Sequence, residues 1–69
     1  MVRVKLRQNI SLLWIIVSAE NDRLAWAGSR WVPIDRDGIS LSEVKVAHFA
    51  TAEDAVAYAQ SVGFEVEHG

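Results

Sequence analysis

Residues 10–17 read Ile10-Ser11-Leu12-Leu13-Trp14-Ile15-Ile16-Val17, an apolar run that only Ser11 interrupts. Its β-branched and aromatic side chains favour a strand, and because both alternating positions are apolar, both faces of that strand should be buried. The polar cluster Glu20-Asn21-Asp22-Arg23 that follows is typical of a turn. The run therefore predicts a central strand followed by a hairpin.

The hairpin has a defined register if Asn21 and Asp22 form a two-residue turn, because Val17 then lies opposite Trp26. Apolar side chains would divide between two sheet faces, with Leu13, Ile15, Val17, Leu24 and Trp26 on one and Leu12, Trp14, Ile16, Ala25 and Ala27 on the other. A slip by one residue would exchange the groups. In the register without a slip, Trp14 and Trp26 point to opposite faces.

The strands on either side of this hairpin are predicted to be edges. At residues 2–7 apolar side chains alternate with the cationic Arg3, Lys5 and Arg7, which indicates a strand with one buried face. Cationic side chains discourage pairing between sheet edges, so we expect an edge strand here. Farther along the chain, Pro33 predicts an edge position for the strand that contains it.

The remaining elements follow from local signals. Asp35-Arg36-Asp37-Gly38 predicts a turn, residues 39–43 a loop and residues 44–49 a strand. A helix is predicted over about residues 52–62, with Thr51 as its N-cap and Gly63 as its stop. Its apolar face consists of Ala52, Ala55, Val56, Ala59 and Val62. Residues 64–67 alternate as a short last strand.

These elements predict one α+β domain over residues 1–69, in the order β-β-β-β-α-β. The sheet should be rich in antiparallel pairs, with the single amphipathic helix packed on one face. One alanine-rich helix covers one face only. We therefore expect the other apolar, tryptophan-bearing face to be left for a partner or a second copy of the chain.

Charge and cysteine content narrow the classes of function. The net charge is −2, which argues against nucleic acid as the main partner, and residues 31–69 are acidic whereas residues 1–30 are basic. The sequence has no cysteine, so disulfides and thiolate metal sites are excluded. Residues 3–19 imitate a secretory signal, but a domain without cysteine is poorly suited to secretion. We expect a cytoplasmic protein, since the apolar run 12–17 is also far short of the roughly 20 residues of a membrane span.

Catalytic and metal-binding patterns are weak. His48 and His68 lack a serine and an orienting carboxylate at spacings typical of a triad. The carboxylate pairs Asp35/Asp37 and Glu65/Glu67 are better explained by a turn and by the polar side of a strand than by acid-base work or a cation site. We therefore predict no enzyme activity, no cofactor and no metal.

Tryptophan is the compositional excess, with three in 69 residues. Aromatic and acidic side chains suit contact with a protein that has a basic surface. The predicted partner-binding residues are Trp14, Trp26, Trp31, Arg30, Asp35, Asp37, Glu53, Asp54, Glu65 and Glu67. Two alternatives stay open: a single-stranded nucleic-acid binder that uses the tryptophans with the basic N-terminal stripe, and a homo-oligomeric structural unit.

The segment Phe49-Ala50-Thr51-Ala52-Glu53-Asp54-Ala55-Val56-Ala57-Tyr58-Ala59, with Gly63 and Phe64, resembles the closing segment of a small accessory subunit of respiratory complex I. The resemblance covers under a third of the chain. It implies a strand that enters a capped helix and leaves through a glycine, and it carries over no functional residue.

The sequence thus predicts a non-catalytic protein-binding module. Among proteins of this size, small inhibitors, adaptors and accessory subunits of larger complexes are the expected kinds. Phage and mobile-element inhibitors such as anti-CRISPR proteins are one example.

Overall fold

The structure is a computed structural model that describes residues 1–67. It confirms the α+β class, with a mixed sheet and one helix in these residues. In chain order the elements are β1 (Arg3–Gln8), β2 (Trp14–Ser18), β3 (Leu24–Trp26), β4 (Trp31–Pro33), β5 (His48–Phe49), α1 (Ala52–Ser61) and β6 (Glu65–Val66). His68, considered above as a catalytic candidate, lies outside the described residues.

The sheet is built around β2, as the apolar run predicts. The strand order is β4-β3-β2-β1-β6, and β5 pairs with the free part of β2 beside β3. Ile15, Ile16 and Val17 are almost fully buried, so both faces of β2 are in the core. The strand is shorter than predicted because residues 9–13 form the hairpin loop that joins it to β1.

The prediction that β1 is an edge strand is wrong. β1 lies between β2 and β6, which pairs with it in parallel at Arg3 and Val4. Helix α1 provides the crossover that a parallel pair needs, and this brings the last strand to β1. The prediction for Pro33 is confirmed, because β4 is at the end of the strand order.

The β2–β3 hairpin has a different register from the one predicted. Val17 lies opposite Ala25, one residue away from the predicted partner Trp26. The connection is longer than two residues: Ser18 Oγ accepts from the N–H groups of Glu20 and Asn21 (3.3 Å each), and Leu24 N–H donates to the Asn21 carbonyl (3.1 Å). The slip reverses the face on which Trp26 lies.

Each face of the sheet has its own core. On the helix side, the buried residues Val4, Ile16 and Ala59 are joined by partly buried side chains, namely Leu6, Trp26, Trp31, Phe49, Tyr58, Phe64 and Val66. On the opposite side, the buried cluster is Ile15, Val17, Ala25, Val32, Ile34 and Val46. Residues 34–47 cover this second face. The expectation that one apolar sheet face is left uncovered is therefore wrong.

This covering segment also shortens the strand predicted at residues 44–49 to β5, His48–Phe49. Val46 turns into the second core, and Ala47 N–H donates to the Trp26 carbonyl (3.1 Å) rather than to β2. The segment of residues 34–47 therefore covers the sheet face opposite α1 before the chain enters the sheet as β5.

Helix α1 is close to its prediction. Thr51 is the N-cap, and its Oγ1 accepts from the Asp54 N–H (3.1 Å). Ala55 and Ala59 are fully buried against the sheet. Val62, predicted on the buried face, is the exposed C-cap residue, because the chain leaves the helix there for Gly63, which has φ 84°.

The turn at residues 35–38 is held against the β1–β2 loop. Gly38 is buried at φ 83°, and a Cβ there would lie 2.8 Å from Asn9 Cβ and 3.2 Å from Asn9 Cα. Ile10 N–H donates to the Asp37 carbonyl (2.9 Å), which joins the same two loops. Only glycine fits both the backbone angle and the approach.

We expect Gly38→Ala to lower the free energy of unfolding by about 3 kcal/mol, because left-handed strain and the contact with Asn9 add together. Gly63→Ala is the matched control, since Gly63 has nearly the same φ and a Cβ added there would have no atom within 4 Å. That control should lose about 1 kcal/mol from the backbone angle alone. Urea denaturation of the two variants measures the difference. Equal losses would contradict the close approach at Asn9.

Candidate functional site

The tryptophans predicted as partner contacts belong to the interface between sheet and helix. Trp26 and Trp31 face each other across β3 and β4, with ring centroids 5.2 Å apart, and Phe64 lies 5.2 Å and 5.8 Å from them. Trp26 Nε1 donates to the Tyr58 hydroxyl of α1 (3.2 Å). These rings bind the helix to the sheet.

Trp14 lies on the same side of the sheet. It pairs with Phe49 across the β2–β5 ladder, and Phe49 belongs to the helix-side core, where its ring centroid is 5.2 Å from that of Tyr58. Paired residues of a ladder share a face. The prediction that Trp14 and Trp26 occupy opposite faces is therefore wrong.

The acidic residues predicted as partner contacts lie on separate elements. Glu53 and Asp54 are in the first turn of α1, while Glu65 and Glu67 lie on and just after β6, where Glu67 Oε2 is 3.2 Å from Arg3 Nε. The structure does not gather them into one acidic cluster.

Asp35 and Asp37 belong to the turn beside Gly38, and Asp35 Oδ1 accepts from the N–H groups of Asp37 (2.9 Å) and Ile39 (3.0 Å). Arg30 is exposed in the β3–β4 loop, where its carbonyl accepts from Ala27 N–H (2.9 Å). Asp35 thus stabilises the turn through its side chain. Arg30 lies on a different loop.

A feature that the sequence reasoning missed is the tip of the β1–β2 hairpin. Asn9 Oδ1 accepts from the N–H groups of Ser11 (2.9 Å) and Leu13 (3.0 Å), and Leu12 N–H donates to the Asn9 carbonyl (3.0 Å). Asn9 N–H also donates to the Leu13 carbonyl (2.8 Å), so residues 10–12 form the tip of the 9–13 loop, with Leu12 at φ 64°. Hairpins of this kind usually place glycine at their left-handed position.

The side chains of this tip lie in solvent. Ile10 is 65% exposed and Leu12 is 71% exposed, while Ile39 and Leu41, just beyond the contacting turn, are 46% and 65% exposed. We call these four residues the loop-tip surface. Between the two loops lies a groove of about 390 Å³, whose polar lining consists of Asn9, Ser11, Ser40, Ser42, Glu43, Lys45 and His48.

Leu12 is unfavourable for folding in two ways. A non-glycine residue in the left-handed region costs about 1–2 kcal/mol. A side chain that is 71% exposed gains little from burial in return. Strain that the fold itself does not need is a reason to look for function at that position.

The sequence carried one signal of this loop, the pair of polar residues Asn9 and Ser11 at the start of the apolar run. Both side chains favour turns through hydrogen bonds to nearby backbone groups. The aliphatic side chains that surround Asn9 and Ser11 favoured a strand over a turn in the sequence analysis.

Two kinds of feature were sought in the described residues, a cluster of metal-binding side chains and a membrane-spanning helix. Within residues 1–67, no group of three or more histidine, cysteine, aspartate or glutamate side chains is placed to hold a metal ion. Over the same residues, helix α1 is too short and too polar to cross a membrane.

Comparison with known proteins gives no further guide to the site. No protein family model, no curated protein and no solved structure matches this chain significantly.

We expect Leu12→Gly to leave the free energy of unfolding unchanged or to raise it by up to about 1 kcal/mol, because glycine removes the left-handed strain. Leu12→Ala is the control that removes the same exposed methyl groups and keeps the strain. Its stability should stay within about 0.5 kcal/mol of the parent chain. Thermal and urea denaturation measure both. A loss of about 1 kcal/mol or more in Leu12→Gly would show that the side chain supports the fold.

Proposed function

We propose that this chain is a non-catalytic protein-binding module that contacts its partner through the loop-tip surface. The observation that carries the proposal is Leu12, a bulky aliphatic residue that is both strained at φ 64° and 71% exposed. Burial in a partner would recover the hydrophobic free energy that the free chain forgoes, about 1.5–3 kcal/mol for a leucine.

The loop-tip surface is held in a fixed shape. Asn9 bonds organise the hairpin tip, Gly38 packs against Asn9, and the Ile10 N–H to Asp37 carbonyl bond joins the two loops. A surface that is already ordered loses less entropy on binding than a flexible one. This rigidity supports Ile10 and Leu12 as anchor residues.

The composition of the surface indicates the chemistry of the partner. The aliphatic side chains project beside the uncharged Asn9, Ser11, Ser40 and Ser42, and the groove between the loops is also lined by Glu43, Lys45 and His48. An apolar centre with a polar rim is the usual make-up of a protein interface. The matching partner surface is an apolar cleft bordered by hydrogen-bonding groups, with an anionic group placed to meet Lys45 and a cationic group placed to meet Glu43.

Within this class, we propose a small inhibitor, adaptor or accessory subunit that acts in the cytoplasm on a larger complex, as anti-CRISPR proteins do. The ordered and apolar loop-tip surface supports this kind of role. The contact surface is the loop tips, in place of the tryptophan-bearing sheet face that the sequence predicts.

We expect Leu12→Ser to weaken binding of a protein partner by at least tenfold. Val62→Ser is the matched control, since Val62 is also an exposed aliphatic residue but lies at the end of α1. Affinity purification with quantitative mass spectrometry would identify proteins retained by the parent chain and Val62→Ser but lost with Leu12→Ser. Titration of the purified partner would then give the dissociation constants.

Two outcomes would overturn this proposal. In the first, Leu12→Ser and Val62→Ser retain the same proteins with the same affinity. In the second, native mass measurements show a concentration-dependent dimer that Leu12→Ser abolishes, which would make a second copy of the chain the occupant of the loop-tip surface.

A further inference from the structure

Three arginine side chains from different parts of the chain line one cavity on the side of the sheet opposite α1. The cavity has a volume of about 570 Å³. Its lining consists of Arg7, Asp22, Arg23, Ile34, Asp35, Arg36 and Leu41. We call it the arginine cavity. Its arginines come from β1, from the residue before β3 and from the turn at residues 35–38.

The backbone around the arginine cavity is well anchored. The Arg7 guanidinium donates to the Arg36 carbonyl, which ties β1 to the turn. Arg23 N–H donates to Asn21 Oδ1 (3.1 Å), and the Arg23 carbonyl accepts from Ile34 N–H (2.8 Å). The backbone positions of Arg23 and Arg36 and the side chain of Arg7 are therefore held before any ligand arrives, while the exposed side chains of Arg23 and Arg36 are left to adjust to it.

The charges of these arginines are not used by ion pairs within the described part of the chain. Among residues 1–67 the one ion pair joins Arg3 to Glu67, and neither residue lines the cavity. Asp35 is in the lining, but its Oδ1 already accepts two backbone N–H groups of the turn. Among the described residues, the guanidinium groups of Arg23 and Arg36 make no hydrogen bond or ion pair, and Arg7 uses one N–H on the Arg36 carbonyl, so donors remain available to a ligand.

We propose that the arginine cavity binds a small phosphorylated polyol, such as a sugar phosphate. A phosphate monoester carries a charge of about −1.5 to −2 and three terminal oxygens, which suit several guanidinium groups at once. With Asp22 and Asp35 also in the lining, a ligand with a single negative charge gains less than a dianion.

The two carboxylates of the lining are the reason for proposing that the ligand carries hydroxyl groups. Asp22 and the free oxygen of Asp35 are acceptors that can receive hydrogen bonds from hydroxyl groups. Ile34 and Leu41 supply an apolar surface for the carbon skeleton. The volume of the cavity also lies in the range of about 300–1,000 Å³ that small-molecule sites occupy.

The test uses ribose 5-phosphate, inorganic phosphate and ribose as probes, with binding followed by calorimetry and by amide shifts in ¹⁵N spectra. Ribose 5-phosphate should saturate the site and shift the amides of residues 22–23 and 35–37. Ribose should not bind. Binding of ribose 5-phosphate should weaken several-fold between pH 7.5 and pH 5, because the second proton of a phosphate monoester is bound with a pKa of about 6.

Arg23→Gln and Arg36→Gln should each weaken ribose 5-phosphate at least tenfold. The matched control is Arg30→Gln, which removes one exposed arginine outside the cavity and should change the affinity less than twofold. The amide spectra of all three variants report whether the fold is retained.

Three results would overturn the proposal: no saturation by ribose 5-phosphate, equal weakening by Arg30→Gln, or amide shifts spread over the whole basic surface. If inorganic phosphate saturates the site as tightly as ribose 5-phosphate, the polyol part of the proposal is wrong and an anion site remains. Because Leu41 belongs to both sites, the titrations use the isolated chain, so that their outcome does not depend on a protein bound to the loop-tip surface.

Discussion

Burial of both faces of β2 is the constraint on which the rest of the structure depends. Ile16 faces α1, while Ile15 and Val17 face the opposite way, and each set needs a cover. With one helix in the described chain, the second cover is the irregular segment 34–47, which brings Ile34 and Val46 onto the sheet. A small domain can bury enough apolar surface in this way without disulfides.

That solution also determines where functional surfaces can lie. The covering segment has to be fixed at its turn, and Gly38 against Asn9 provides the attachment. The same attachment orders the β1–β2 tip, where Leu12 is strained and exposed, and it closes one wall of the arginine cavity through Arg36. Both proposed sites are therefore consequences of covering the second face with a loop, and the two sites share that loop.

Local signals predicted the elements whose energetics are local. Helix α1 has its cap and its buried alanines where the sequence places them, because the Thr51 bond to Asp54 N–H and the helical period act within a few residues. The burial of β2 was equally clear from composition. The proposed binding site was not clear from the sequence. Trp26 and Trp31, expected to meet a partner, pack partly buried against the helix-side core, and Leu12 was assigned to a strand.

What the sequence by itself determined is the α+β class, the central strand and the capped helix, since each depends on the side-chain pattern of one short segment. Only the tertiary structure decided the register of Val17 with Ala25, the interior position of β1 and the exposure of the β1–β2 tip. The physical reason is that these features depend on contacts between distant segments. Hydrogen bonds in the connection at residues 18–24 shift the register by one residue, and the crossover through α1 brings β6 to β1.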